Sequence, residues 1–466
     1  MSRQNLAWLL GIVAVSVFGF AVSCAVTAPA ARHDDQDYEH VRLFVDVLHE
    51  VRSRYVYKLT PEKERKLVED MLNGGLDRLN PHNAFINKKE YRQFARRSKG
   101  AFGGIGIQLG YDTNNRGLLT VISPMVGTPA HEAGVLAGDV ITKIDGKSTE
   151  GMRLNEAIEL ITGEPGQKIT LGVRHEDGET EDIPLVRAEI KVSTVLGDKR
   201  KADNIKEWDF LYDKENKIGY VRLAEFTETS TREMKAALEE LKKLDVKGIV
   251  LDLRGNPGGL LRSAKEISNL FLDDGKIVST RGRDGDEEVF EANPRDTVFG
   301  PDSGVGLAVL INRYSASASE IVSACLQDHK RAVIVGERSY GKGSVQNVIP
   351  MEKGQSALKL TTATYWRPSG VNIDRHPDAK DTDDWGVKPN KDFEVRLTLE
   401  QRVEFVRWRN ERDVVRDGKK HQKKESDKEP KKDKKPFVDE VLKKAVEHLR
   451  EQIKKAELDR PQQGRA

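Results

Sequence analysis

The sequence has little cysteine. Its 466 residues hold two, Cys24 and Cys325, in no C-x-x-C pair, and no H-E-x-x-H run occurs. A disulfide framework and the usual zinc patterns are therefore excluded, and neither a metal nor another cofactor is expected. Cys325 reads as a small buried apolar residue. Charge of one sign is also lacking. The 77 Lys and Arg face 75 Asp and Glu, a net charge of +2, so nothing global draws the chain to nucleic acid. The local exception, "RDGKKHQKKESDKEPKKDKK" at 416–435, has almost nothing apolar and is expected to be a disordered linker. A tail for anionic surfaces is the sharper and rarer use of such a run.

One long apolar run is present, Leu6 to Val22, broken by Gly and Ser. It follows Arg3 and precedes "AVSC" and "TAPAAR". A short basic region before an apolar core is the pattern of an export signal. Three fates are open. These are cleavage after "APA", lipidation at Cys24, or retention as an anchor, since about 17–20 apolar residues can just span a bilayer. Each places everything after Arg32 in the cell envelope, on the periplasmic or extracytoplasmic side, whether secreted or anchored.

Residues 33–98 read as helical. "YEHVRLFVDVLHEVRSRYV" spaces Val41, Phe44, Val45, Leu48 and Val51 for one face, and Pro61 opens a second helix. "LNPHNAF" is a turn closing the region. Residues 99–188 change character: a glycine-rich stretch "GAFGGIGIQLG", a strand "GLLTVIS", then "AGVLAGDVITKIDGKS", a helix and two more strands. That order and those glycines resemble a PDZ domain. The resemblance implies that Gly103, Gly104, Ile105 and Gly106 offer backbone N–H groups to a peptide's terminal carboxylate, the peptide adding as a strand. Residues 189–396 alternate near-continuous apolar strands with helices, which predicts an α/β core. The end of 397–466, "FVDEVLKKAVEHLREQIKK", sets Val438, Val441, Leu442, Ala445, Leu449 and Ile453 on one face, so something docks there.

Three runs in the α/β region carry chemistry. "VGERSYGKGSVQ" imitates a phosphate loop, but Gly343 stands where Ser or Thr should follow Lys342, leaving no hydroxyl for magnesium. "LINRYSASASEIVSACL" puts serines at a helix start, where a serine is usually a cap. "VLDLRGNPGGL" puts Asp252 and Arg254 at a strand end before Gly258 and Gly259, which in isolation are an ion pair and a turn. No G-x-S-x-G elbow occurs and no His lies close to these runs in sequence. A serine needs a base, and a lysine can serve if burial lowers its pKa. Glycines on both sides of Lys342 let the backbone bend inward.

Together, "NRYSASASEI", "ERSYGKGSVQ", "LDLRGNPGG", "IGYVRLAEF", "LTTATYWRPSG" and "LNPHNAF" resemble the carboxy-terminal processing peptidases, or tail-specific proteases, in the family's order from about 38 to 395. The resemblance implies an α/β multidomain chain. It has a peptidase core of the ClpP/crotonase type, an inserted PDZ domain and helical terminal regions. It implies Ser317 as nucleophile, rather than Ser315 or Ser319, Lys342 as general base, and Gln346 orienting the lysine. Asp252, Arg254 and Glu320 are implied as supporting groups. The backbone of Ala318 and of Gly258 or Gly259 is the candidate oxyanion hole. The expected partners are proteins with accessible C-terminal tails, an activating adaptor, and a second copy of the chain paired through terminal helices. The sequence departs from the family at Thr162, where many members carry an arginine that senses bound substrate, and in the long polar stretch "VNIDRHPDAKDTDDWGVKPN". An inactive PDZ scaffold is the alternative to an exported serine endopeptidase.

Overall fold

In a computed structural model of the chain the described residues are 35–112, 117–376, 378–415 and 437–459; the leader and the charged linker lie outside them. The chain divides into two compact units, 1–74 and 75–466. In the first, α1 (Asp35–Arg54) precedes α2 (Pro61–Leu79), which crosses the boundary. α2 starts on Pro61 with Glu62 and Glu64 in its first turn, where a missing N–H and negative charge both suit a helix N-terminus.

In the second unit the turn at 80–83 does more than close a helical region. It feeds β1 (Ala84–Ile86), an antiparallel partner of a long strand at 356–366. α3 (Lys88–Ser98) follows, its N-terminus closed by a capping box between Asn87 and Glu90. Next come β2 (Ala101–Gly104), β3 (Ile107–Asp112), β4 (Leu118–Pro124), β5 (Val140–Ile144), α4 (Leu154–Ile161), β6 (Lys168–Arg174), β7 (Thr180–Val186) and β8 (Ala188–Lys191). Strands β3 to β7 form one antiparallel sheet in sequence order, and β2 pairs with β8. Ile105, Val121, Ile141, Ala157, Ile169 and Leu171 belong to its own apolar core.

Apart from short strands and turns, the remaining elements are β9 (Ile218–Leu223), α5 (Ser230–Lys243), β10 (Gly248–Asp252), α6 (Leu261–Asn269), β11 (Lys276–Gly282), β12 (Glu287–Glu291), β13 (Gly306–Ile311), α7 (Ala318–Asp328), β14 (Val333–Gly336), β15 (Ser344–Met351), β16 (Ser356–Trp366), α8 (Leu399–Asp413) and α9 (Glu440–Leu458). β9, β10, β13 and β14 run parallel in that order. Their side chains alternate between two cores, as the pleat requires. Val221, Leu223, Ile249, Leu251, Val309 and Ile311 face the cluster that includes α5, α6 and α7. Ile218, Tyr220, Val250, Ala308, Leu310 and Val335 face α9.

That second face corrects one expectation. Val441, Leu442, Ala445, Val446 and Leu449 of α9 are buried on the sheet of their own chain, so this stripe does not pair subunits. Each of the four Val and Leu side chains gains about 1.5–3 kcal/mol from burial, ample reason for the helix to stay docked in cis. A second, antiparallel sheet, β1–β16–β11–β12 with β15 beside β16, was not anticipated. Among the described residues no helix is long and apolar enough to cross a membrane.

Candidate active site

Ser317 is the N-cap of α7, with φ 56° and ψ −114°. A side chain at positive φ is sparsely allowed and costs about 1–3 kcal/mol unless its surroundings enforce it. Here they do. Ser315 Oγ accepts the N–H of Asn312 and donates to the carbonyl of Leu253, at 2.9 and 2.8 Å. Ser319 Oγ donates to the carbonyl of Asn256 at 3.0 Å, and the N–H of Ala316 donates to the same oxygen at 3.1 Å. The hydroxyls of Ser315 and Ser319 are thus spent on anchoring the turn. The Ser317 side chain instead meets the Tyr365 hydroxyl, whose pKa burial pushes up to about 12.

Lys342 lies in the loop between β14 and β15. Burial, then the charge of Lys359 on β16, lowers its pKa below the ordinary lysine value, and Glu320 works in the opposite direction. Among the described residues its amine makes no hydrogen bond. The loop is no phosphate cradle: the N–H groups of Gly341 and Lys342 donate to Glu320 and that of Gly343 to Asp374, at 2.6, 2.8 and 3.0 Å. Amides already held by carboxylates leave nothing for a phosphate.

Glu320 joins the two loops. Its fully buried carboxylate accepts the N–H of Ser317 at 2.8 Å and the Ser339 hydroxyl at 2.6 Å, besides the two amides of the lysine loop. Burial raises its pKa, and these four donors oppose the rise. Ser339 was missed in sequence, where nothing distinguishes it from a loop serine.

Of the two candidate oxyanion glycines, the structure separates one from the other. The N–H of Gly258 donates to Asn256 Oδ1 at 2.8 Å. Among the described residues the N–H groups of Gly259 and Ala318 meet no protein acceptor. A Cβ on Gly258 would come within 2.8 Å of Ser317 Cβ, so only glycine lets this loop lie against the serine. Asn256, not singled out from "GNPGG", ties the two turns together. Its side chain also donates to the carbonyl of Leu223 at 2.8 Å.

Two expectations change. Asp252 and Arg254 do not touch Ser317 or Lys342. The Arg254 guanidinium forks Asp252 and Asp439, with closest contacts of 2.6 and 2.8 Å, and Tyr220 donates to Asp252 at 2.7 Å. Burial alone would raise the Asp252 carboxyl, but Arg254 and Tyr220 outweigh it and hold it low. These residues fix the base of the glycine loop to α9. The Gln346 amide donates to Ser344 Oγ at 2.8 Å and Thr361 Oγ1 at 3.3 Å, not to Lys342. A register shift between Val345 and Gln346 accompanies that placement.

In the domain formed by β2 to β8, Ile105 is wholly buried and anchors the loop that carries the glycines. Among the described residues the N–H groups of Ile105 and Gly106 meet no protein acceptor. Gly106 has φ +79°, and a Cβ there would come within 2.3 Å of Thr128; one on Gly103 would come within 2.1 Å of the carbonyl of Gly163. Thr162 lines a cavity of about 1020 Å³ with Phe102, Gly103, Ile158, Arg92 and Arg96. Its hydroxyl donates to the carbonyl of Ile158 at 2.8 Å.

A serine on a strained turn, packed against a glycine loop, with the N–H groups of Ala318 beside it and Gly259 on that loop left without protein acceptors among the described residues, fits the class of serine peptidases, here one that carries a PDZ domain. Residues 217–391 match the model of peptidase family S41 and residues 120–175 that of the PDZ domain. The chain is 41% identical over 347 residues to the carboxy-terminal-processing protease of Bartonella bacilliformis, covering 73% of this chain and 74% of that one. It is 33% identical over 348 residues to the carboxy-terminal processing protease CtpA of Bacillus subtilis, covering 74% and 67%. Among solved structures it is similar to the photosystem II D1 C-terminal processing protease, 29% identical, covering 75% and 86%, with a TM-score of 0.41. The chain belongs to peptidase family S41, among the carboxy-terminal processing proteases.

Proposed function

We propose that this chain is an endopeptidase that holds accessible C-terminal tails of proteins in its PDZ domain and cleaves them with Ser317 as nucleophile and Lys342 as general base. The observation that carries this reading is the shared Glu320 oxygen, which fixes the backbones of both residues to one point. Neutral Lys342 takes the hydroxyl proton of Ser317 as Oγ bonds to the scissile carbonyl carbon. The N–H groups of Ala318 and Gly259 receive the oxyanion. The lysine then gives its proton to the leaving amine as the C–N bond breaks. Water, deprotonated by the same amine, hydrolyses the acyl-enzyme. Gln346 remains the candidate for orienting Lys342, through its Oε1, which the bonds from its Nε2 to Ser344 and Thr361 leave as an acceptor.

The tail's carboxylate is met by the spare N–H groups of Ile105 and Gly106, and its strand by the edge of β3. With Thr162 where many members of the family carry an arginine, gating by a charge at that position is not part of the reading. The reading includes export, the leader setting the catalytic unit outside the cytoplasm. Self-association through a terminal helix now rests on α1, where Val41, Leu43 and Val45 are exposed.

An inactive scaffold is favoured by one observation, the missing hydrogen bond between the Lys342 amine and Ser317. Such bonds often tighten only with substrate. Casein cleavage between pH 6 and 10, with fluorophosphonate labelling in parallel, decides. Activity and labelling that rise with pH, and vanish in Ser317→Ala and Lys342→Ala, are expected. Cleavage that survives in Ser317→Ala would overturn the proposal.

A further inference from the structure

Among its described residues the polar stretch 371–390, between β16 and α8, has no helix and only an isolated bridge at Asn372, yet many of its contacts fall on the lysine loop. The N–H of Arg375 donates to the carbonyl of Gly341 at 2.9 Å. Asp374 Oδ1 accepts the N–H of Gly343 at 3.0 Å. Ser339 exchanges two bonds with Val387: its N–H donates to that carbonyl at 3.0 Å, and its Oγ accepts that N–H at 2.7 Å. Arg338, on the loop, donates to the carbonyls of Asp381, Asp383 and Trp385, at 2.7, 2.6 and 2.7 Å. The Trp385 ring is nearly buried. The guanidinium of Arg338 stacks on it at 3.3 Å and that of Arg375 at 4.4 Å.

The glycines flanking Lys342 take a second meaning from this. A Cβ on Gly343 would come within 2.1 Å of the Asp374 backbone nitrogen. One on Gly341 would come within 2.7 Å of Arg375 and 2.8 Å of the Trp385 ring. Gly341, at φ +87°, serves the bend, and both glycines are also required for close approach of a second strip of chain. Residue 342 is thus held from two sides, by Glu320 and by this strip.

We propose that residues 371–376 and 378–387 form a strap that positions the catalytic base, with Trp385 and Asp374 as its positioning residues. The inference rests on Lys342 being that base. A general base displaced by a fraction of an ångström loses its line to the serine hydroxyl, and misplacements near 1 Å cost about a hundredfold in rate. Loosening the strap also admits water to the amine and lets it move away from its neighbours. The charged and titratable groups around it are Lys359 on β16, Glu320 on α7 and His82 in the turn before β1; His82 in turn feels Asp374 of the strap. Rehydration and distance from Lys359 both return the amine toward ordinary lysine behaviour. The acid limb of the pH profile then moves to higher pH.

The test uses the full chain and a fluorogenic peptide, with the rate of fluorophosphonate labelling of Ser317 followed against pH. Trp385→Ala and Asp374→Ala are expected to lower kcat about tenfold or more with KM within about twofold, and to move the acid limb upward by about half a pH unit or more. Trp385→Phe keeps a ring for the stacked guanidiniums, and Asp374→Asn keeps an acceptor for Gly343; both should restore most of the rate and the limb. A strap that merely stabilises the fold would lower the melting temperature and leave the limb in place. Folded alanine variants with unchanged kcat and unchanged limb overturn the proposal. If Trp385→Ala does not fold, the Asp374 pair decides alone, since its side chain reaches the loop through one bond. If Lys342→Ala still labels with the wild-type limb, the base itself is misassigned and the strap's role falls with it.

Discussion

The backbone N–H groups of Ser317 and Lys342 meet on a single atom, Glu320 Oε2, at 2.8 Å each. One residue starts a helix and the other lies in a loop after a different strand, so nothing in chain order holds them together. The other carboxylate oxygen takes Ser339 and Gly341, both at 2.6 Å. A buried carboxylate is costly unless its oxygens are satisfied. Here the donors that satisfy it belong to the two loops that carry Ser317 and Lys342.

Glu320→Gln should therefore be worse than its size suggests. The amide keeps the shape but turns one acceptor into a donor, facing N–H or O–H groups that now point at it. Losing hydrogen bonds to a charged group costs about 1.5–3 kcal/mol each. The unfolding free energy in urea should fall by about 2–4 kcal/mol and kcat by roughly a hundredfold. A variant with wild-type kcat would show that the shared oxygen does not set the distance between the loops.

Lys342→Met should remove activity and raise stability near neutral pH. The folded-state pKa of Lys342 is depressed, mainly by burial. Between that value and the unfolded pKa of about 10.4 the unfolded chain binds more protons, so the lysine's stability penalty shrinks as pH rises. The melting temperature of Lys342→Met should exceed wild type at pH 7, and the gap should close toward pH 10. A constant gap across that range would mean that the lysine's charge is not what burial opposes.

How much of this was legible in sequence depended on how local each feature is. Ser317, Lys342 and Glu320 sit in short runs that mean a cap and a loop when read singly and are picked out only by the resemblance of the whole set of runs to the family. Gly258 and Gly259 were equivalent until Asn256 Oδ1 was seen to take the N–H of one of them. The stripe on α9 showed that something docks, but periodicity cannot tell a sheet of the same chain from another subunit. β16 was missed as a strand because the "LKLTTATY" portion mixes apolar and hydroxyl residues and is half-buried along most of its length, which blurs the period of two. The strap has no period, and its role appears only in what it touches.

Gly106→Ala should separate tail capture from chemistry. The glycine has φ +79°, and the new methyl would come within 2.3 Å of Thr128, whose hydroxyl donates to the Gly106 carbonyl at 3.1 Å. Relief of that clash displaces the loop that presents the Ile105 and Gly106 amides. KM for a protein with a free C-terminal tail should rise about tenfold or more, a loss of roughly one or two hydrogen bonds to a carboxylate. Cleavage of a short peptide should change less than about twofold. Equal losses on both substrates would place the PDZ domain's contribution in the fold rather than in recognition.

Asp439→Ala tests whether α9 is part of the working enzyme. Asp439 caps α9 through the N–H of Leu442 at 3.1 Å and pairs with Arg254 through two bonds of 2.9 and 2.8 Å. The Arg254 side chain is nearly buried and keeps Asp252 as its charge partner, with the Phe405 ring at 4.5 Å, once Asp439 is gone. Breaking a buried pair from one side leaves a partly compensated charge and typically costs about 3–5 kcal/mol. The helix has five buried apolar side chains to keep it in place, so the loss should appear first as faster hydrogen exchange in 440–458, not as global unfolding. Arg254 stands four positions before Gly258, and the loop between them carries the Asn256 that ties to the serine turn. An undocked α9 should therefore lower kcat with little change in KM. If exchange quickens while kcat holds, α9 closes the sheet without reaching the site.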